Sequence, residues 1–119
     1  MRLCEAMRLG AMLKPQAQRE MTGPRTCALG AALDAIGVEV VAHGEGYNAL
    51  IWNWPILRME VATPPALLAI DPRYPTTRLE AAIVLLNDAA GWTREAIADY
   101  VETLEQSQVV SEPVMEAVA

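Results

Sequence analysis

Cys27 and His43 are the one pair in this sequence that supplies a thiol nucleophile and an imidazole base. Cys27 falls near the start of an expected helix, where the helix dipole favours a thiolate. No third group to orient the imidazole is evident from spacing. The plainer reading is a small buried cysteine packing beside Leu29 and Leu33, with His43 on a loop. A second set is Asn87, Asp88, Trp92 and Arg94. An amide, a carboxylate, an indole and a guanidinium within a few residues make either a small recognition surface or a hinge whose side chains bond open backbone groups. A third set is Trp52 and Trp54, with Tyr47, Asn48 and Asn53 nearby. These residue types suit a binding pocket or interface. They suit equally the large pieces of a core that has no Phe. One histidine and two separated cysteines do not make a zinc site, so neither metal nor cofactor is expected. Gly44-Glu45-Gly46 lacks the strand-to-helix setting of a phosphate loop, and no Ser-centred nucleophile elbow occurs. Carboxylates are scattered along helix faces, so no catalytic residue is assigned.

The elements that must position these groups are mostly helical. Leu3, Ala6, Met7 and Gly10 lie at helical spacing, predicting a first helix over Leu3 to Leu13 that Pro15 stops. Thr26 is read as the N-cap of a second helix running to Ile36, with Leu29, Ala32, Leu33 and Ile36 as its stripe. Gly30 within it implies close approach of another backbone, and Gly37 sits where a C-terminal cap belongs. Val38 to Ala42 is β-branched and predicts a strand. His43 to Gly46 reads as a turn, and Tyr47 to Pro55 as either a strand or a helical turn. Ile56 to Val61 alternates like a half-buried strand. Pro64 and Pro65 introduce a short helix over Ala66 to Ile70.

The run from Thr77 to Glu105 carries the strongest local signals. Thr77-Arg78-Leu79-Glu80 matches a capping box, and Leu79, Ala82, Ile83 and Leu86 form the stripe of a third helix. That helix ends near Ala90, with Gly91 beyond it. Thr93 caps a fourth helix, Glu95 favours its dipole, and Trp92 with Ile97 takes the positions of a hydrophobic staple. Ile97, Tyr100, Val101 and Leu104 form its buried face. The expected fold is therefore α+β and mostly helical, with four main helices and a small antiparallel sheet in the middle of the chain. Residues 1–106 read as one compact domain, and 107–119 as a frayed tail broken at Pro113.

Composition narrows the function classes. The chain has 119 residues, 53% of them hydrophobic, with a formal charge of -6 and Lys14 as its single lysine. An acidic chain has little attraction for nucleic acid or an anionic membrane. The fourth helix offers Glu95, Asp99, Glu102 and Glu105 against Arg94, the wrong charge for a DNA reader. No run of ~18 apolar residues spans a membrane. The first residues lack a secretory signal, which points to the cytoplasm and to reduced Cys4 and Cys27.

Arg25-Thr26-Cys27-Ala28-Leu29-Gly30-Ala31-Ala32, followed by Leu85-Leu86-Asn87-Asp88 and Gly91-Trp92-Thr93-Arg94-Glu95, resembles small uncharacterised proteins of bacterial and phage genomes. Those proteins share a Cys-x-x-Gly-Ala helix ahead of a Leu-Asn-Asp…Trp-Thr-Arg-Glu helical pair. The resemblance implies the order of elements and no activity. Some relatives of that kind carry a Cys-Pro-x-Cys knuckle; here the region reads Thr63-Pro64-Pro65-Ala66, so no metal role carries over.

The leading expectation is a non-catalytic binding or accessory protein, acting on another protein or on a second copy of itself. Its expected contact residues are Trp52, Trp54, Asn87, Asp88, Trp92 and Arg94. Two alternatives stand beside it: a small enzyme or ligand sensor using Cys27 and His43, and an acidic inhibitor of a nucleic-acid-binding enzyme.

Overall fold

The first helix, α1 (Leu3–Leu13), forms over the predicted span and stops at Lys14, whose extended backbone suits the residue before Pro15. A computed structural model describes residues 1–19, 21, 25–38 and 43–118, except for the side chains of 43–45 and 108–118. The described elements continue as α2 (Ala28–Ala35), α3 (His43–Asn53), a 3₁₀ turn (Pro55–Arg58), β1 (Glu60–Ala62), α4 (Pro65–Leu68), β2 (Thr76–Arg78), α5 (Leu79–Asp88) and α6 (Arg94–Val118). The fold is α+β and mostly helical, with a two-stranded antiparallel sheet mid-chain.

Six helices are described where four main ones and a short one were expected, because α3 replaces the turn read at His43 to Gly46 and resolves the ambiguous stretch after it. Two glycines there weaken helix propensity by up to ~1 kcal/mol each. Burial of Leu50 in the core, with Ala49 and Ile51 packed against it, offsets that weakness. The strand expected over Val38 to Ala42 lies, except for Val38, outside the described residues. The strand expected over Ile56 to Val61 shrinks to β1, since Pro55 opens a 3₁₀ turn instead. Its partner is β2, paired Glu60 with Arg78, Val61 with Thr77 and Ala62 with Thr76.

That pairing also dissolves the predicted capping box. Thr77 belongs to the sheet, Arg78 becomes the N-cap residue with no side-chain cap, and α5 starts at Leu79. Thr26 likewise does not cap α2. Cys27 holds the N-cap position, and Thr26 is buried with its side chain turned elsewhere. Other local signals form as read. Gly37 adopts a φ of 72°, and Gly37 and Val38 donate their N–H groups to Asp34 and Leu33 carbonyls at 3.1 Å each, closing α2 in a Schellman arrangement. Thr93 Oγ1 accepts the Ala96 N–H at 3.1 Å, and Gly91 has a φ of 70°. The backbone of α6 continues through the expected break at Pro113 to Val118.

The core draws Leu3 and Met7 from α1, Leu29 and Leu33 from α2, Ile83 and Leu86 from α5, and Ile97 and Val101 from α6. Small residues let α1 and α2 touch backbone to backbone. A Cβ on Gly10 would stand 1.7 Å from the Ala31 carbonyl oxygen, and one on Gly30 would stand 2.3 Å from that of Met21. The amino end of α1 is held by a residue about a hundred positions away. Glu105, on α6, accepts the Leu3 N–H at 2.8 Å and the Cys4 N–H at 2.9 Å. It thereby satisfies two of the donors that a helix start leaves open. Arg8 ties the same helices together by pairing with Asp99 at 2.6 Å and with Glu102.

Candidate functional site

Four of the six expected contact residues meet at the junction of α5 and α6; Asn87 and Arg94 are buried there, and Asp88 and Trp92 are half-buried. Asn87 is 1% exposed. Its Oδ1 accepts from Gln16 Nε2 at 3.0 Å and from the Ala28 N–H at 3.2 Å, so it caps the start of α2 in place of Thr26. Its Nδ2 donates to the Ala17 carbonyl at 2.9 Å and to Asp88 Oδ1 at 2.8 Å. Asp88 Oδ1 also accepts the backbone N–H of Arg19, a residue in the left-handed region at φ 61°. Gln16 Nε2 reaches the Trp92 carbonyl at 2.8 Å.

Arg94, 5% exposed, turns its planar fork onto neighbouring segments of the same polypeptide. Its Nη2 donates to the carbonyls of Ala11 at 3.3 Å and Lys14 at 2.6 Å, closing the end of α1. Its Nη1 donates to Thr26 Oγ1 at 3.2 Å and to the Thr26 carbonyl at 3.4 Å. The hinge residues therefore cross-link α1, α2, α5 and α6. Trp92 is half-buried against the core.

Trp52 and Trp54 part ways. Trp54 is 5% exposed and donates its indole N–H to the Met1 carbonyl at 3.1 Å. Trp52 is 87% exposed. It lines a shallow depression of about 680 Å³ with Tyr47, Asn48, Ile51, Pro55 and Arg58. Asn53 turns back to the Ala49 carbonyl at 2.8 Å.

Tyr47 and Ile51 also line a deeper cleft of about 490 Å³ between α3 and α5. Its walls include Leu29, Leu50, Leu57, Val84 and Leu85, and the charged group in its lining is Glu80. Tyr47 Oη donates to Glu80 Oε1 at 3.3 Å, and Arg78 Nη1 stands 4.0 Å from the same oxygen. Glu80 Oε2 is buried without a hydrogen-bond partner among the described residues. With the capping box absent, this carboxylate is free to line the cleft. Sequence reading gave Glu80 to the capping box and gave Val84 and Leu85 no contact role. The signal was present in Val84 and Leu85, two adjacent aliphatic residues that fall off the buried stripe of α5.

The thiols lie in surroundings that favour the neutral form. Burial pushes the Cys27 thiol above its ordinary value. Burial and then the Glu105 carboxylate push Cys4 from 9.0 up to about 11. The side chain of His43 lies outside the described residues. Between pH 9.0 and about 11 the folded chain keeps a Cys4 proton that the unfolded chain releases, so stability falls as pH rises through that window. Both thiols are also expected to react with iodoacetamide at least about a hundredfold more slowly in the folded chain than in urea. Intact-mass analysis over time measures this, and fast labelling of Cys27 in the folded chain would contradict its burial.

Among the described residues, no group of three or more His, Cys, Asp or Glu is placed to hold a metal ion, and no helix is long and apolar enough to cross a membrane. Comparison with known protein families, with curated proteins and with solved structures finds no match for this chain.

Proposed function

We propose that this chain is a non-catalytic binding protein of the bacterial or phage cytoplasm, holding a protein partner on the α3–α5 face. The observation that carries the reading is Trp52, an indole left 87% exposed beside an apolar cleft. Exposed aromatic side chains next to apolar pockets are typical anchors of interfaces, and contiguous apolar surface on a small domain marks a contact site. Val84 and Leu85 extend that surface along α5, where both are exposed. Asn87, Asp88, Trp92 and Arg94 then act by fixing the frame on which α3 and α5 stand.

Two variants test the reading. Trp52→Ala removes a mostly solvated side chain and is expected to change stability by no more than about 0.5 kcal/mol. Leu85→Asp puts a charge on the cleft wall. Native mass spectrometry of the chain recovered from the cells that make it measures which complexes persist. Complexes with a partner protein, or dimers, should weaken at least about thirtyfold in both variants, the loss typical of a central interface residue. Full retention of the complex in both folded variants places the interface elsewhere.

A further inference from the structure

We infer that the α3–α5 cleft takes a peptide segment of another protein that presents a bulky apolar side chain flanked by a lysine or arginine. This rests on the binding reading above and names the partner's chemistry. The cleft walls are aliphatic, so an inserted group gains by leaving water. The polar lining is Tyr47 and Glu80. Tyr47 Oη and, at 4.0 Å, Arg78 Nη1 serve Glu80 Oε1, whereas Oε2 is buried and lacks a donor among the described residues. A buried carboxylate oxygen without a donor is costly. A turn of the carboxylate that brings Oε2 to the cleft surface lets a cationic donor on the ligand remove that cost, and an acidic or purely aliphatic ligand does not.

The geometry favours a chain segment over a small amine. Tyr47 and Ile51 line both the cleft and the depression that holds Trp52 and Arg58, so the two are neighbours on one face. A segment crossing both places its base at Glu80 and passes over the exposed indole. Arg58, at the other end, has no ion pair among the described residues and suits an acidic group there. A second copy of this chain fits poorly. Its tail carries Glu112 and Glu116 and has no basic residue after Arg94, bringing like charge to Glu80. Its exposed Leu9, Met12 and Leu13 on α1 would meet a different surface, a head-to-tail contact that no two-fold dimer can make. Lys14 at that end is already paired with Asp34 at 3.1 Å.

The test is selection of a displayed random-peptide library on the immobilised full chain, with Leu85→Asp and Glu80→Gln in parallel and circular dichroism checking that each is folded. The expected result is a set of peptides lost on Leu85→Asp that carry Lys or Arg within about one helical turn of a large apolar residue. Replacing that base by norleucine in a synthetic peptide should weaken binding to the unmodified chain about tenfold or more. The same replacement should change little on Glu80→Gln. Cleft-dependent peptides without basic bias, or an equal norleucine effect on both proteins, overturn the Glu80 assignment while leaving a protein-binding cleft. No cleft-dependent peptide, with decylamine alone shifting the Leu85 methyl resonances, overturns the peptide in favour of a free amine. Neither peptide nor amine binding overturns both this inference and the binding reading.

Discussion

Gly10→Ala is expected to destabilise the chain by about 3 kcal/mol or more, although alanine is the better helix former. Two effects oppose each other. Replacing glycine by alanine inside a helix gains up to ~1 kcal/mol. Against this, the new Cβ would stand 1.7 Å from the Ala31 carbonyl oxygen, 2.3 Å from its carbon and 2.7 Å from its Cα. These are backbone atoms of α2 and cannot rotate away, so α1 must move as a body. Moving it withdraws Leu3, Cys4, Ala6 and Met7, all fully buried, and disturbs the bonds from Leu3 and Cys4 to Glu105. The clash therefore outweighs the propensity gain. For a domain whose whole stability is roughly 5–15 kcal/mol, that loss is a large share. Urea unfolding measures it as a lower midpoint. Gly37→Ala is the useful comparison, because no atom of the described residues lies within 4 Å of where its Cβ would stand and the strain is in the positive φ of 72°. It should cost about 1–2 kcal/mol. A Gly10→Ala chain as stable as the parent would mean that α1 and α2 do not meet at this glycine.

Asn87→Ala is expected to cost about 2–4 kcal/mol, the second largest effect. The amide serves four partners at once. Its loss strands the Ala28 N–H at the start of α2, and takes one bond each from the Ala17 carbonyl, from Gln16, which keeps the Trp92 carbonyl, and from Asp88, which keeps the Arg19 N–H. Asn87→Asp separates the amide's two roles. It keeps an acceptor for Ala28 but sets a second carboxylate oxygen against the Ala17 carbonyl and Asp88 Oδ1, which need a donor. Its deficit should be larger at neutral pH than at about pH 3, where carboxyls protonate and can donate. Hydrogen exchange at the Ala28 amide reports the local effect, and urea unfolding the global one. Parent-like stability of Asn87→Ala would move this residue from the frame back to the binding surface.

The helical class, the span of α1, the C-cap at Gly37 and the Thr93 cap were legible because each depends on neighbours within about one turn. An apolar stripe, a proline or a permissive glycine acts on the backbone beside it, and such signals survive any arrangement of the rest. The same locality explains the misreadings. Thr77 and Thr26 are sound cap residues in isolation. Cross-strand pairing with Val61 took the first, and the guanidinium of Arg94 took the second. The glycines of α3 argue against a helix until Leu50 is buried.

Sequence alone thus determined that α1, α2, α5 and α6 become rods, where several of them end, and that the chain is acidic. Tertiary structure decided what those rods touch. Gln16 to Asn87, Ala28 to Asn87 and Leu3 to Glu105 lie 71, 59 and 102 residues apart, and no local pattern encodes such pairs. It also decided that Asn87 and Arg94 point inward, that Trp54 is core while Trp52 is surface, and that Glu80 meets Tyr47 across a cleft. The reason is that a side chain's partners are set by packing of whole helices, whereas spacing along the chain sets only which face it lies on.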